Sequence, residues 1–208
     1  MSELTKYRPG ATDVALKTDG NPEGKGLNGF LLDWYQTEPR GVVVKPQRQV
    51  LAEFFTSMLV LSAHFKYRPA DGVPSYLYFI EGRWTLSLIS PDEWSEDHRN
   101  GFVGTCMLQR DMTWTIEPSA LLGEDNAVSD AVGRFYDAFA DTLDTDLTLE
   151  EILPFYTRRL RYYQRLYASA LSRSMRGSVI LGDQRDIRAR DWRLLLPRVE
   201  RVMLTDAR

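Results

Sequence analysis

Apolar positions along the chain follow two rhythms: steps of three and four residues, as on a helix face, and alternation by two, as in a strand. Val50, Leu51, Phe54, Met58, Leu61 and Phe65 make one helical stripe, which predicts a helix over residues 46–66. Pro46 suits its first turn, where a backbone N–H would have no helical partner anyway. Pro69 and the Asp71-Gly72 turn stop it, and His64 follows the stripe as a polar residue at the helix end.

The centre alternates by two. Ser75–Ile80 and Arg83–Ile89 flank Glu81-Gly82, a spacing that predicts a hairpin with a two-residue loop. In that register Phe79 faces Trp84, Leu77 faces Leu86 and Ser75 faces Leu88, an apolar face expected in the core. The other face sets Tyr76 and Tyr78 against Ser87 and Thr85. One apolar and one mixed face is the pattern of a sheet covered on one side. Two further strands are expected. Phe102–Gln109 has Phe102, Gly104, Cys106 and Leu108 on one parity, and Met112–Ile116 has Met112, Trp114 and Ile116 together, with Arg110-Asp111 as the turn. Between strands two and three, Ser90-Pro91 followed by Asp92 and Glu93 predicts a capped helical turn leading to Trp94.

The last third reads as helical. Val128, Val132, Phe135, Phe139 and Leu143 form a stripe, and Thr148 with Glu151 has the spacing of a capping box. Pro154 is expected to start or kink a long helix to Met175 ended by Gly177. Tyr156, Leu160, Tyr163, Tyr167 and Leu171 share one of its faces; Arg158, Arg161, Arg165 and Arg176 lie largely away from it. Ser178–Leu181 is expected as a strand and Trp192–Leu196 as a short helix stopped near Pro197. Residues 1–45 read as a Gly/Pro-rich arm containing an apolar island, Phe30–Tyr35, that lies against the body, with Val42–Val44 as a short strand.

The expected fold is therefore α+β: a small four-stranded antiparallel sheet, with SH3-like or half-barrel as its possible forms, one preceding helix and a C-terminal helical segment. Three regions follow: the arm (1–45), the helix-plus-sheet module (46–118), and an acidic then Arg-rich helical segment packed on it (119–208). At 208 residues, 43% hydrophobic, the chain is long enough for one core. The net charge of -3 hides a division. Residues 81–154 carry 4 Arg against 16 acids, whereas residues 155–208 carry 13 Arg against 5 acids. The Arg-rich end either docks on the acidic stretch of the same chain or offers a basic surface to phosphate, nucleic acid or an acidic partner. One Cys and two His exclude a disulfide scaffold and leave too few ligands for a Cys/His zinc site. The chain has no apolar run of about 18 residues, the length a membrane-spanning helix needs. The first ten residues lack the apolar region of a secretory signal, and a free Cys106 fits a reducing, cytoplasmic setting.

The block from Val50 to Pro118 resembles a known family, the domain of unknown function numbered 2452. The resemblance rests on Tyr76-Leu77-Tyr78, the Gly82 turn, the run from Leu86 to Trp94, Phe102-Val103-Gly104, Leu108, Asp111 and Thr113-Trp114-Thr115. It covers about a third of the chain. The N-terminal arm and the Arg-rich helices depart from its short members, and it implies no activity, cofactor or catalytic residue.

The candidate chemistry is sparse. Gly24-Lys25-Gly26 lacks the spacing of a phosphate loop. Cys106 and His98 are formally a nucleophile and a base, but Cys106 sits on the apolar parity of a strand and His98 in a solvated loop. The acids of 92–97 and 141–151 serve as caps and solvated charge, or as an acid–base or cation site. Two binding surfaces stand out: an aromatic one, Tyr76 and Tyr78 with Trp94 at the rim, and a basic one, Arg158, Arg161 and Arg165 interleaved with Tyr. The leading expectation is a non-enzymatic interaction module with a protein partner or an acidic ligand, and no cofactor. The alternatives are carboxylate acid–base chemistry on a small molecule, and single-stranded nucleic-acid binding by the Arg/Tyr helix.

Overall fold

The structure is a computed structural model and describes residues 26–123, 126–155, 157 and 160–198. The elements in chain order are α1 (Gly26–Gln36), α2 (Gln47–Ser62), β1 (Pro74–Ile80), β2 (Arg83–Ser87), α3 (Glu96–Arg99), β3 (Phe102–Leu108), β4 (Trp114–Pro118), α4 (Ala127–Thr142), α5 (Leu149–Ile152), α6 (Tyr162–Leu181) and α7 (Ala189–Arg193). Single 3-10 turns occupy Pro91–Glu93 and Ala120–Gly123.

The four strands form an open antiparallel sheet in the order β2-β1-β3-β4, so β2 and β4 are edges and no barrel closes. The β1–β2 register is the expected one, Leu77 opposite Leu86 and Phe79 opposite Trp84. The loop works because Glu81 and Gly82 both take positive φ, 50° and 74°, as a two-residue hairpin turn with the right twist requires. The β1–β3 pairing carries a bulge: Leu77 pairs with Gly104 but Tyr78 with Phe102, leaving Val103 as the extra residue. The bulge corrects one expectation. Phe102 leaves the core parity and packs on Tyr78 and Tyr76 instead, at centroid separations of 5.5 and 6.4 Å. Val103 enters the core in its place.

The core lies between the inner sheet face and α2, α4 and α6. Helix α2 is buried well beyond its apolar stripe, because neighbours surround it; even Glu53, Thr56 and Ser57 are covered. Ser57 Oγ accepts from the Trp114 backbone N–H at 2.9 Å, which ties α2 to the edge strand β4. Phe54 and Phe55 of α2 meet Phe139 of α4 edge-on at 5.2 and 5.4 Å.

Both sheet edges are partly occupied. On β2, the His64 N–H donates to Trp84 O and the Leu86 N–H to His64 O. On β4, the Ser57 hydroxyl takes one outward N–H and Pro118 has none to offer.

Helix α6 differs from expectation at both ends. It begins at Tyr162, after the break around Pro154, and runs through Gly177 to Leu181, so Ser178–Leu181 is helix and not strand. Gly177 sits inside the helix because a Cβ there would come within 3.0 Å of Val42, where the incoming chain crosses. Val42–Val44 is an irregular crossing segment, pinned by the Ser178 hydroxyl donating to Val43 O at 3.0 Å. The apolar island is helical, as α1. The Arg-rich end docks on the acidic stretch: Arg176 pairs with Glu150, Arg188 and Arg190 with Asp146, and Arg193 with Asp144 and Asp141.

Candidate functional site

The inner face of the sheet is filled; the outward face is not covered evenly. Over one half, residues 88–100 fold back as a flap. Its capping geometry follows the sequence: the Ser90 N–H and hydroxyl both donate to Glu93 Oε2 at 3.1 Å. Ile89 O accepts from Tyr78 OH at 2.9 Å and from Trp94 Nε1 at 3.2 Å. Tyr78 is thereby fully buried under Trp94 and Phe102, and burial pushes its phenol up to about 12. Trp94 is itself stacked on His98 at 4.1 Å and 11°. An open Tyr76–Tyr78–Trp94 platform is therefore not what the fold presents. Tyr76 is half-buried beside Phe102, while Tyr78 and Trp94 anchor the flap. His98 is a stacking partner whose Nδ1 lies 3.0 Å from Ser95 Oγ, not a solvated loop residue.

The other half of the outward face is open. There Thr105, Met107 and Gln109 of the β3 side lie beside Thr115 and Glu117 of β4, and form the floor of a groove of about 1010 Å³. Arg40, Gly41 and Lys45 of the crossing segment wall it at one end, with Asp71 and Arg110 at the rim. The backbone bond from Arg40 N–H to Arg110 O, 2.9 Å, holds that wall to the β3–β4 turn.

Under the wall sits a charged triad. Lys45 Nζ donates to Glu53 Oε2 and to Asp111 Oδ2, both at 2.6 Å, with all three side chains no more than 12% exposed. The remaining carboxylate oxygens are also served. Gln49 Nε2 donates to Glu53 Oε1 at 2.9 Å, and Asp111 Oδ1 accepts from the Thr113 N–H at 3.1 Å and its hydroxyl at 2.7 Å. Two carboxylates against one ammonium leave a net charge of about -1 in a buried site. Burial alone would lower Lys45, but hydrogen bonds and charge from Asp111 and Glu53 hold it above its ordinary 10.5. Burial dominates at Glu53 and raises it above 4.5, against the pull of Lys45. Asp111 is also pushed up by burial, but Lys45 and Thr113 together keep it below 3.8.

The sequence reading missed this triad. Gln49 and Glu53 are one helical turn apart and Asp111-Met112-Thr113 has Asx-turn spacing, yet nothing local joins Lys45 to residues 8 and 66 positions away. The other candidate residues are scattered. Arg158 lies outside the described residues, as do Tyr156, Gly24 and Lys25. Arg161 caps α6 half-buried, its guanidinium on His64 Nε2, and Arg165 is half-buried one turn later. Burial first, then the nearby Arg161 and Lys66 charges, lowers His64 below 6.5. Cys106 is wholly buried on the core face, with its thiol pushed up by burial, and is on the opposite side of the sheet from His98. Asp141, Asp144, Asp146 and Glu150 are held by arginines, and Glu93 and Glu151 serve as caps. Among the described residues, no group of three or more His, Cys, Asp or Glu is placed to hold a metal ion, and no helix is long and apolar enough to cross a membrane.

No curated protein and no solved structure matches the chain. Residues 45–132, which span α2, the whole sheet and every member of the buried triad, match the model of a family described as a protein of unknown function (DUF2452).

Proposed function

We propose that the chain is a cytoplasmic binding module, and that its ligand lies in the groove over the outward face of β3 and β4. The observation that carries this reading is the groove itself: about 1010 Å³ of concavity on a part of the sheet face that no helix among the described residues covers. Its floor alternates Thr105, Met107 and Gln109 with Thr115 and Glu117, a mixture of hydroxyl, amide, thioether and one carboxylate that suits an extended polar chain with small apolar side chains, such as a peptide segment. The contacts that already occupy part of each edge, His64 on β2 and Ser57 on β4, favour a ligand on the face over one added as a fifth strand. The triad's part is architectural: it fastens the crossing segment that walls the groove.

A second reading has one observation in its favour. Glu53 combines a raised affinity for protons with a place on the groove lining, a combination typical of general acids. It moves the acid–base alternative from the exposed acids to Glu53 and Asp111. Nucleic-acid binding has no comparable support, since Arg161 and Arg165 are half-buried.

The test is selection of peptides from a random display library on the immobilised full chain, followed by titration against Met107→Arg and Thr115→Arg. Both substitutions lie on the outward face and spare the core. Enriched peptides that bind the unaltered chain and lose at least tenfold affinity on both variants support the reading. No enrichment, or binding indifferent to both changes, refutes it.

A further inference from the structure

Helix α1 turns its leucines outward. Of its residues only Asp33 is buried, whereas Leu27, Leu32 and Tyr35 are 72%, 58% and 64% exposed and Leu31 is 38% exposed. At 100° per residue, Leu27, Leu31 and Tyr35 lie within 80° of arc, with Leu32 beside them. Asp33 points the other way, towards α6. Polar contacts hold that inner side. Tyr162 OH donates to Asp33 Oδ2 at 2.7 Å, Arg173 lies 4.2 Å over the Trp34 ring, and Arg173 Nη2 donates to Thr37 O at 2.9 Å. Phe155 extends the outer apolar surface: it meets Trp34 edge-on at 6.3 Å and is itself 59% exposed. A helix that buries Asp33 and half-buries Phe30 and Trp34 while its leucines face outward departs from the usual arrangement of a surface helix.

We propose that this face is an interface between two copies of the chain, paired about a two-fold axis near Leu31, the midpoint of α1. Charge supports self-pairing. The exposed arc carries no ionised side chain, since the only charge on α1 is the buried Asp33, so two copies meet without repulsion and without stranding a charge. The area supports it too. At about 200 Å² per fully exposed large apolar residue, the five exposures sum to about 600 Å² per copy. Two copies that covered all of it would bury about 1,200 Å², the lower limit for a specific interface. An isologous contact needs one self-complementary patch, and an uncharged helix crossing its own copy antiparallel provides it.

Sedimentation equilibrium of the full chain at about 50 µM tests this. The expected mass is twice 23.9 kDa, falling to 23.9 kDa in the double variant Leu27→Glu/Leu32→Glu, whose positions are exposed and whose thermal melt should show an intact fold. As an independent check, Leu31→Cys should cross-link in high yield with a short bis-maleimide, because the native Cys106 is buried and contributes nothing. A monomeric unaltered chain overturns the proposal, whether residues 1–25 or a different protein covers the face. So does a dimer that both Leu→Glu changes leave intact.

Discussion

Replacing Lys45 with Met keeps most of the side chain's volume and removes its charge. The substitution strands two carboxylates, Glu53 and Asp111, that are no more than 12% exposed and that each lose a 2.6 Å charge-assisted hydrogen bond. Removing one partner from a buried ionic cluster costs about 3–5 kcal/mol. That is a large share of the stability of a domain, which is about 5–15 kcal/mol. With a urea m-value of about 2 kcal/mol/M, the midpoint should fall by about 1.5–2.5 M at pH 8. The loss should shrink in acid. Glu53 already binds its proton more tightly in the folded chain than its ordinary 4.5, and without Lys45 its affinity rises further. A raised folded value means stability that is fully present below 4.5 and lost as pH rises through the folded value. Between the folded value of Glu53 in the unaltered chain and its higher value in the variant, the variant should regain up to about 1.4 kcal/mol per unit of acidification relative to the unaltered chain. Removing the carboxylates as well, in Lys45→Met/Glu53→Gln/Asp111→Asn, should recover most of the loss. A Lys45→Met cost below about 1 kcal/mol at pH 8, the size of an exposed pair, would refute the buried-triad argument. So would an equal cost at pH 5 and pH 8.

Gly104→Ala should cost about 1–3 kcal/mol by thermal melt, because the added methyl meets Glu117 O at 2.5 Å and the β3–β4 pairing must shift. An unchanged melt would place that pairing elsewhere. Cys106 should resist a soluble thiol reagent in native buffer and react fully in denaturant, since burial both hides it and disfavours its thiolate; rapid native labelling would contradict its core position. Arg188→Ala and Arg193→Ala should each cost less than about 1 kcal/mol despite their ion pairs with Asp146, Asp141 and Asp144, and the cost should fall further in salt.

The elements that the sequence made legible are those specified locally. The β1–β2 register follows from alternation plus a two-residue turn. The caps at Ser90 and Thr148 follow from short motifs, and α4 from a single stripe. In most of the misread elements a long-range contact overrode a local signal. Gly177 normally ends a helix, but here it makes room for Val42. Val179 and Ile180 favour strands, yet they complete the last turn of α6. The Val103 bulge, which moves Phe102 to the outward face, leaves no trace in a period-two pattern. Gly26 and Gly29 concealed α1 among loop residues. The candidate site was the least legible part. Lys45, Glu53 and Asp111 come from a coil, a helix and a turn, and only the packed chain brings them together. The aromatic platform was half legible: alternation put Tyr76 and Tyr78 on the outward face, but not the flap that buries Tyr78.

Ligand is proposed to engage the open half of the outward sheet face. The most direct test is an amide chemical-shift titration of the full chain with a display-selected peptide. Shifts should concentrate at Thr105, Met107, Gln109, Thr115 and Glu117, with smaller ones at Arg40 and Gly41. Shifts confined to α6 or to the flap around Trp94, or a spectrum that does not change, would contradict it.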